Sequence, residues 1–285
     1  MSRKVVLMLI DGLGLETFLS HCGYLESLVA AGRARRWTME AVLPTLSVPI
    51  YETLHSGIEP HEHGITTNAR TPMSRSEHVF KVARRHGRKT AAVASYSFSE
   101  LYNASPYDPA RDHEVDDPAL AIQHGRFFTT GGKTRTNPCL MSEADLMAKA
   151  TGLARRAAPD YLLVHSESCD TIAHLYGGRS SEYRAQAAAV DDQLAQSVPQ
   201  WQALGYRVLV TADHGMDADG QHGGTDPVVR QVAFYDLGPA CGGIEPQPAS
   251  QLSVAPTILN LLDLPVPEAM RAPALVDAGA VGNVA

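Results

Sequence analysis

The chain has 285 residues, of which 44% are hydrophobic and 19% are charged, and its formal net charge at pH 7 is −7. This length and apolar content can bury a sizeable core, and the negative charge argues against non-specific binding to nucleic acids or to anionic membranes. Four cysteines without a Cys-x-x-Cys pair suggest no disulfide framework. Because we find neither a signal-peptide pattern nor an apolar run of membrane-spanning length, we expect a cytoplasmic protein.

The first predicted element is a buried strand over residues 4–10, where the apolar run is almost continuous. Asp11 and a glycine-containing turn follow it directly. Further along, Ser47 and Gly57 predict a short helix over about residues 48–56, because serine favours helix N-caps and glycine ends helices. A hydroxyl at a helix amino end is placed to meet a phosphate, although a capping role alone also explains this serine.

The middle of the chain is less regular. A helix is predicted over residues 76–86 and a strand over residues 89–94. The weak pattern of residues 96–140 predicts either a long active-site loop or a small insertion. Within it, Lys133 and Arg135 follow two glycines and form either a solvated turn or a loop that binds an anionic group of the substrate.

Helices and strands alternate in the second half of the chain. Helices are predicted from residue 142, over residues 181–198 with Pro199 ending or kinking the helix, and over residues 252–264; strands are predicted over residues 160–165, 206–210 and 231–235. Asp170 and His174 are four residues apart, so on a helical turn they would share one face. This spacing suits two ligands of one metal ion and also suits a surface hydrogen bond.

An Asp-His pair follows the strand over residues 206–210. Asp213 and His214 lie directly after it, and His222 comes eight residues later in a polar, glycine-rich segment. In open α/β sheets, ligands bind at the carboxyl ends of the strands. Carboxylate oxygens and imidazole nitrogens together suit a divalent metal such as zinc.

Six candidate ligands therefore follow predicted strands that would end at one edge of a parallel sheet. The carboxylates are Asp11, Asp170 and Asp213, and the histidines are His174, His214 and His222. Two groups of three ligands are what two adjacent metal ions need to bind a phosphoryl group between them. Ser47 adds a hydroxyl that such a metal could activate as a nucleophile.

The order of these residues resembles the alkaline phosphatase superfamily, most closely its nucleotide pyrophosphatase/phosphodiesterase (type I phosphodiesterase) branch. That branch has a nucleophile-x-Pro motif, a Thr/Ser-Gly pair, a Pro-x-x-His-Gly-Ile motif and an Asn. The matching residues are Ser47-Val48-Pro49, Ser56-Gly57, Pro60-His61-Glu62-His63-Gly64-Ile65 and Asn68. The resemblance extends from residue 4 to about residue 265 and covers residues 70–140 poorly.

This resemblance implies a three-layer α/β/α sandwich with a mostly parallel mixed central sheet, which we expect to form a single domain over residues 1–285. It implies two divalent metal ions, zinc or alternatively manganese. One would be held by Asp11, Ser47, Asp213 and His214, and the other by Asp170, His174 and His222. Ser47 would be the nucleophile, Asn68 would bind phosphoryl oxygens, and the substrate would be a small phosphate ester.

Two departures from the family pattern matter. Ser47 replaces the more usual threonine, with Thr45 as a weaker candidate out of register, and Val48 replaces the aromatic residue that usually stacks on a nucleotide base. Tyr51 stands where sulfatases have an arginine, which argues against sulfatase chemistry.

We expect a phosphodiesterase or nucleotide pyrophosphatase that forms a phosphoserine. The alternatives are a phosphomonoesterase, a phosphonate hydrolase and a non-catalytic metal-binding homologue.

Overall fold

The computed structural model describes residues 3–130, 134, 136–138, 140–238 and 242–276. Its strands are β1 (Lys4–Ile10), β2 (Arg35–Glu40), β3 (Thr90–Ser95), β4 (Glu114–Asp116), β5 (His124–Phe128), β6 (Tyr161–Ser166), β7 (Tyr206–Thr211), β8 (Gln231–Asp236), β9 (Gly243–Ile244) and β10 (Ala249–Ser250). Its helices are α1 (Leu15–His21), α2 (Gly23–Ala30), α3 (Ser47–Ser56), α4 (Pro60–His63), α5 (Val79–Arg85), α6 (Tyr96–Tyr102), α7 (Pro109–Asp112), α8 (Glu143–Ala157), α9 (Ser168–Tyr176), α10 (Ser181–Ala203), α11 (Pro227–Arg230) and α12 (Val254–Leu261).

All these strands form one mixed sheet. Their order is β10-β2-β8-β7-β1-β6-β3-β5-β4, and β9 also pairs with β2. The five neighbours β7, β1, β6, β3 and β5 run parallel, whereas β8 is antiparallel to β7 and β2, and β4 is antiparallel to β5. The predicted mostly parallel sheet is confirmed.

Helices cover the sheet in two groups. One group consists of α1, α2, α8, α9 and α10, and the other contains α3, α5, α6 and α12. Strands β3 and β6 are buried along their whole length, as near-continuous apolar runs predict for strands covered on both faces. The architecture is therefore the predicted α/β/α sandwich. No helix in the described part of the chain is long and apolar enough to cross a membrane.

Two helices differ in detail from the sequence expectations. Ser47 is the first residue of α3 and not its N-cap; the N-cap is Leu46, whose side chain makes no capping hydrogen bond. Helix α10 continues through Pro199 to Ala203. Trp201, buried in this last turn, donates a hydrogen bond from its indole N–H to a threonine hydroxyl of α8 (2.9 Å), so tertiary packing overrides the local effect of the proline.

The weakly patterned stretch contributes to the sheet. Strand β5 lies parallel to β3, from the pair Ala91–His124 to the pair Ser95–Phe128. Strand β4 adds an antiparallel edge beside it. The region expected to be a loop or a small insertion thus supplies two strands that widen the sheet.

A tight turn after β1 depends on Gly12. Its φ of +71° lies in the left-handed region, and a Cβ built there would come within 2.8 Å of the Cα atom of Asp170. Only glycine avoids both the backbone strain and the overlap. The turn thereby allows Asp11 and helix α9 to approach each other.

We predict that Gly12→Ala lowers the free energy of unfolding of the metal-free protein by about 1–3 kcal/mol, the usual cost of such backbone strain. Gly23→Ala is the matched control, because a Cβ there meets nothing within 4 Å. Urea denaturation followed by circular dichroism measures both changes. An unchanged stability of the Gly12→Ala protein would contradict this account of the turn.

Candidate functional site

The three predicted carboxylates meet at one edge of the sheet, where the neighbouring strands β7, β1 and β6 end. Asp11 follows β1, Asp213 follows β7 after one residue, and Asp170 lies in the first turn of α9. Backbone hydrogen bonds join these ends, since the Asp11 N–H donates to the Ser166 carbonyl (2.9 Å) and the Asp170 N–H donates to the Asp11 carbonyl (3.0 Å). The sheet order therefore determines how closely the carboxylates approach.

Asp11, Asp213 and His214 form an inner group that is almost completely buried. One potential ligand atom from each lies within 4.8 Å of the others. His214 Nε2 is 3.2 Å from Asp213 Oδ2 and 3.5 Å from Asp11 Oδ1. The other Asp213 oxygen accepts hydrogen bonds from the backbone N–H groups of Gly12 (3.0 Å) and His214 (2.9 Å). Because these two hydrogen bonds fix Asp213 Oδ1, the other oxygen, Oδ2, faces His214.

A second, outer group consists of Asp170, His174 and His222, and His214 lies between this group and the inner one. Ligand atoms of Asp170, His214 and His222 lie within 4.8 Å of one another. Asp170 Oδ1 is 3.2 Å from Nε2 of His174 and 3.7 Å from Nε2 of His222. The rings of His214 and His222 stack with their centroids 3.8 Å apart. The structure thus brings all six predicted ligands into one cluster, whose outer half is open to solvent through a side chain of His174 that is 35% exposed.

The three histidines of the cluster share one orientation. The Nδ1 atoms of His214, His174 and His222 lie 3.1, 2.7 and 2.8 Å from the backbone carbonyl oxygens of Gly215, Gly220 and Thr45, respectively. A carbonyl only accepts, so each Nδ1 is assigned the proton. In the neutral imidazole, Nε2 then keeps its lone pair. This outer hydrogen bonding is typical of metal-ligating histidines.

Three buried carboxylate oxygens of the cluster have no hydrogen-bond partner among the described residues: Asp11 Oδ1, Asp170 Oδ1 and Asp213 Oδ2. Each faces the Nε2 atom of a histidine. Unpaired buried carboxylate oxygens opposite unprotonated nitrogens are unfavourable unless a cation lies between them. The donor set therefore fits divalent metal ions.

The pKa shifts in the metal-free cluster also reflect charges that are buried close together. Burial and the nearby Asp11 carboxylate raise the pKa of Asp213. Burial also favours a raised pKa for Asp11, but contacts with His165 and His214 outweigh it and lower that pKa overall. Burial lowers the pKa of His214 to about 4, so this histidine is neutral at pH 7, as a ligand must be. The Asp170 carboxylate, 3.2 Å from the His174 ring, raises the pKa of His174.

Ser47 and Asn68 lie beside this cluster. Ser47, half-buried at the amino end of α3, has its Oγ 3.3 Å from His214 Nε2. The Asn68 side-chain oxygen accepts a hydrogen bond from the Val48 N–H (3.0 Å), which brings the amide close to Ser47. Both residues therefore lie at the amino end of α3, which faces the cluster.

Thr45, the weaker nucleophile candidate, is engaged elsewhere. Its buried hydroxyl accepts from the Gly223 N–H (2.9 Å) and donates to the Gly224 carbonyl (3.0 Å), while its own carbonyl faces His222. Thr45 therefore holds the loop that carries His222. Its hydroxyl is already used in that role.

Sequence reasoning missed two buried residues that touch Asp11. The Tyr51 hydroxyl donates a hydrogen bond to Asp11 Oδ2, and His165 Nε2 lies 3.4 Å from the same oxygen. For His165 the sequence did contain a signal, because a titratable residue stands at the end of an apolar strand. Lys133 and Arg135 lie outside the described residues, and their substrate contact remains a prediction.

We predict that Asp213→Asn stabilises the metal-free protein at pH 8. A carboxyl whose pKa is raised by folding favours the folded state at low pH and loses that contribution as pH rises above its unfolded value of about 4. Asparagine cannot ionise, so the substitution removes this loss of stability. We therefore expect a higher unfolding temperature than wild type at pH 8, in the presence of a chelator, and a smaller difference at pH 5.

The matched control is Asp236→Asn. Asp236 is equally buried, but it forms an ion pair with Arg207, so its replacement should lower the unfolding temperature at both pH values. Destabilisation by Asp213→Asn at pH 8 would show that the two inner carboxylates do not repel each other appreciably.

Comparison with known proteins identifies the family of this chain. The model of the type I phosphodiesterase / nucleotide pyrophosphatase family matches residues 5–231. The catalytic subunit of human GPI ethanolamine phosphate transferase 2 is 24% identical over 283 residues, which cover 93% of this chain and 27% of that protein. The 2,3-bisphosphoglycerate-independent phosphoglycerate mutase of Wolinella succinogenes is 28% identical over 219 residues, covering 65% and 44%. The chain thus spans about a quarter of the transferase and less than half of the mutase.

Solved structures show the same fold. Murine ectonucleotide pyrophosphatase / phosphodiesterase 5 superposes with a TM-score of 0.71 at 13% identity, covering 93% of this chain and 96% of the other. A phosphonate monoester hydrolase from Silicibacter pomeroyi gives a TM-score of 0.63 at 15% identity, covering 95% and 75%. Because the family match extends over most of the sequence, this chain belongs to the type I phosphodiesterase / nucleotide pyrophosphatase family of the alkaline phosphatase-like proteins.

Proposed function

We propose that the protein is a metal-dependent hydrolase of phosphate esters, of the phosphodiesterase or nucleotide pyrophosphatase type. The observation that carries this proposal is the cluster of six ligands with Ser47 Oγ 3.3 Å from His214 Nε2. A hydroxyl, a helix amino end and a polar cluster suited to cations meet at one point. That combination serves nucleophilic attack on phosphorus.

Two divalent ions, with zinc as the expected metal, would occupy the cluster. Asp11, Asp213 and His214, with Ser47, would hold one ion, and Asp170, His174 and His222 the other. When bound, the ions would lower the pKa of a coordinated hydroxyl and neutralise charge on the phosphoryl group. The unpaired carboxylate oxygens and the common histidine orientation support this assignment.

The side chains around Ser47 have distinct roles in this proposal. The Ser47 hydroxyl loses its proton to solvent and Oγ attacks phosphorus, so that a phosphoserine forms while the bond between phosphorus and the leaving oxygen breaks. That oxygen departs with its alcohol or phosphate. The amide of Asn68 and the amino end of α3 hold the phosphoryl oxygens as negative charge develops. Water then attacks phosphorus, releases the phosphate product and regenerates the serine hydroxyl.

A second candidate is phosphoryl transfer to an alcohol. It is favoured by the human ethanolamine phosphate transferase, which aligns with 93% of this chain. The two activities would share the phosphoserine and differ only in whether water or an alcohol attacks it. Phosphomonoester and phosphonate hydrolysis are further alternatives at the same site.

The test compares an aryl phosphodiester, an aryl phosphomonoester, a dinucleotide and a phosphonate ester, with and without an added alcohol acceptor. We predict the fastest turnover with the diester or the dinucleotide, and loss of activity by about a thousandfold or more in Ser47→Ala, because no other side chain replaces the nucleophile. Metal content of the variant is measured in parallel and should fall by less than one ion per chain.

A second measurement identifies the phosphorylated peptide after rapid acid quenching. It tells whether the nucleophile is Ser47 or Thr45. The adduct is expected on Ser47. An adduct on Thr45, or full activity of Ser47→Ala, would refute the proposed nucleophile. Inactivity of the metal-loaded wild type on the whole panel would favour the non-catalytic homologue.

A further inference from the structure

The two oxygens of the Asp11 carboxylate have different surroundings. Oδ1 has no hydrogen-bond partner and lies 3.5 Å from Nε2 of His214, within the cluster. Oδ2 points away from the cluster, towards Tyr51 and His165. The carboxylate is thus held on one side only.

Tyr51 supplies the first contact to Oδ2. Its hydroxyl donates to this oxygen from the first half of α3, one helical turn after Ser47. The ring is 1% exposed and stacks on Phe98 with a centroid distance of 4.5 Å. Packing therefore fixes where the hydroxyl lies.

His165 supplies the second contact. The Ser95 N–H points to His165 Nδ1 at 3.5 Å, which assigns the imidazole proton to Nε2. Nε2 faces Asp11 Oδ2 at 3.4 Å, an electrostatic contact and not a formed hydrogen bond. The completely buried ring contacts both Tyr51 (5.0 Å between centroids) and Phe98 (5.1 Å) edge-on or at a tilt. The two donors and Phe98 thus form one packed unit.

We propose that Tyr51 and His165 are positioning residues that hold Asp11 Oδ2, so that Asp11 presents only Oδ1 to the inner metal ion. The inference rests on the proposed function, in which Asp11 is a metal ligand. Without these donors the carboxylate could rotate and offer either oxygen or both. Fixing the ligand lowers the cost of ordering the site when the metal binds.

This arrangement couples the nucleophile helix to the metal ligand. Ser47 and Tyr51 both belong to α3, so the helix that carries the nucleophile also carries the residue that orients Asp11. One helix therefore fixes both the nucleophile and the orientation of the Asp11 carboxylate that would hold the inner ion. The outer group is built on α9 and the loop after β7, and no hydrogen bond between described residues joins it to Tyr51.

The experiment measures zinc affinity by competition with a chromophoric chelator, together with kcat and KM. For Tyr51→Phe we expect zinc binding at one of the two sites to weaken by about 10- to 100-fold, the usual effect of removing a partner of a metal ligand. The affinity of the other site should stay unchanged, and excess zinc should restore most of kcat. The control is Tyr161→Phe, which removes a buried hydroxyl that bonds to His55 (2.9 Å) at the opposite end of β6.

Two His165 variants make the test independent of Tyr51. His165→Leu removes the donor and should weaken the same site, whereas His165→Gln keeps an N–H donor and should retain most of the affinity. A merely structural role would lower the unfolding temperature of the metal-free protein without selective loss at one site. If Tyr51→Phe does not fold, the two His165 variants decide.

The outcomes separate this inference from the proposed function. Unchanged zinc affinity in Tyr51→Phe and His165→Leu, with an active wild type, would overturn the positioning role and leave the hydrolase proposal standing. A wild type that binds two ions and hydrolyses none of the esters would overturn the hydrolase proposal. Selective weakening in the variants would still support the positioning role. A wild type that binds no zinc would overturn both.

Discussion

The burial of three carboxylates at the ends of three adjacent strands is the constraint on which the site depends. Asp11, Asp170 and Asp213 are brought together by a sheet order that places β1 between β6 and β7. Buried carboxylates repel one another, and the histidine nitrogens opposite them carry lone pairs and not protons. The protein keeps this arrangement because its backbone hydrogen bonds and packed core impose it. A bound cation would replace the repulsion between these carboxylates by the attraction of each carboxylate to the cation.

The elements around the cluster orient its members. Backbone carbonyls of Thr45, Gly215 and Gly220 set the histidine rings, and α3 places Ser47 at the inner group. The inner group is closed to solvent, whereas the outer group opens outward through His174. A substrate would therefore reach the outer group first, with its phosphorus close to the nucleophile. This asymmetry suits a reaction in which one ion serves the nucleophile and the other the leaving group.

Much of this arrangement could be predicted from the sequence, because its signals are local. Continuous apolar runs predict β1, β6 and β7, and each is followed by a carboxylate, so a parallel sheet alone brings Asp11, Asp170 and Asp213 to one edge. The four-residue spacing of Asp170 and His174 predicts their shared face on α9.

The rest depends on tertiary contacts. Strands β4 and β5 are short and contain charged residues or glycine, and they form because the edge of β3 offers them hydrogen bonds. The contacts of Tyr51 and His165 with Asp11 were not predicted, since nothing local in the sequence shows that Asp11 lies beside them. Ser47 looked like an N-cap, whereas the helix begins at the serine itself and leaves its hydroxyl beside His214.

The central claim is that this cluster holds two metal ions, and anomalous diffraction at the zinc edge from crystals grown with zinc tests it most directly. The account predicts two peaks about 4 Å apart, one between Asp11, Asp213 and His214 and the other between Asp170, His174 and His222. A single peak, peaks remote from these residues, or no peak would contradict it.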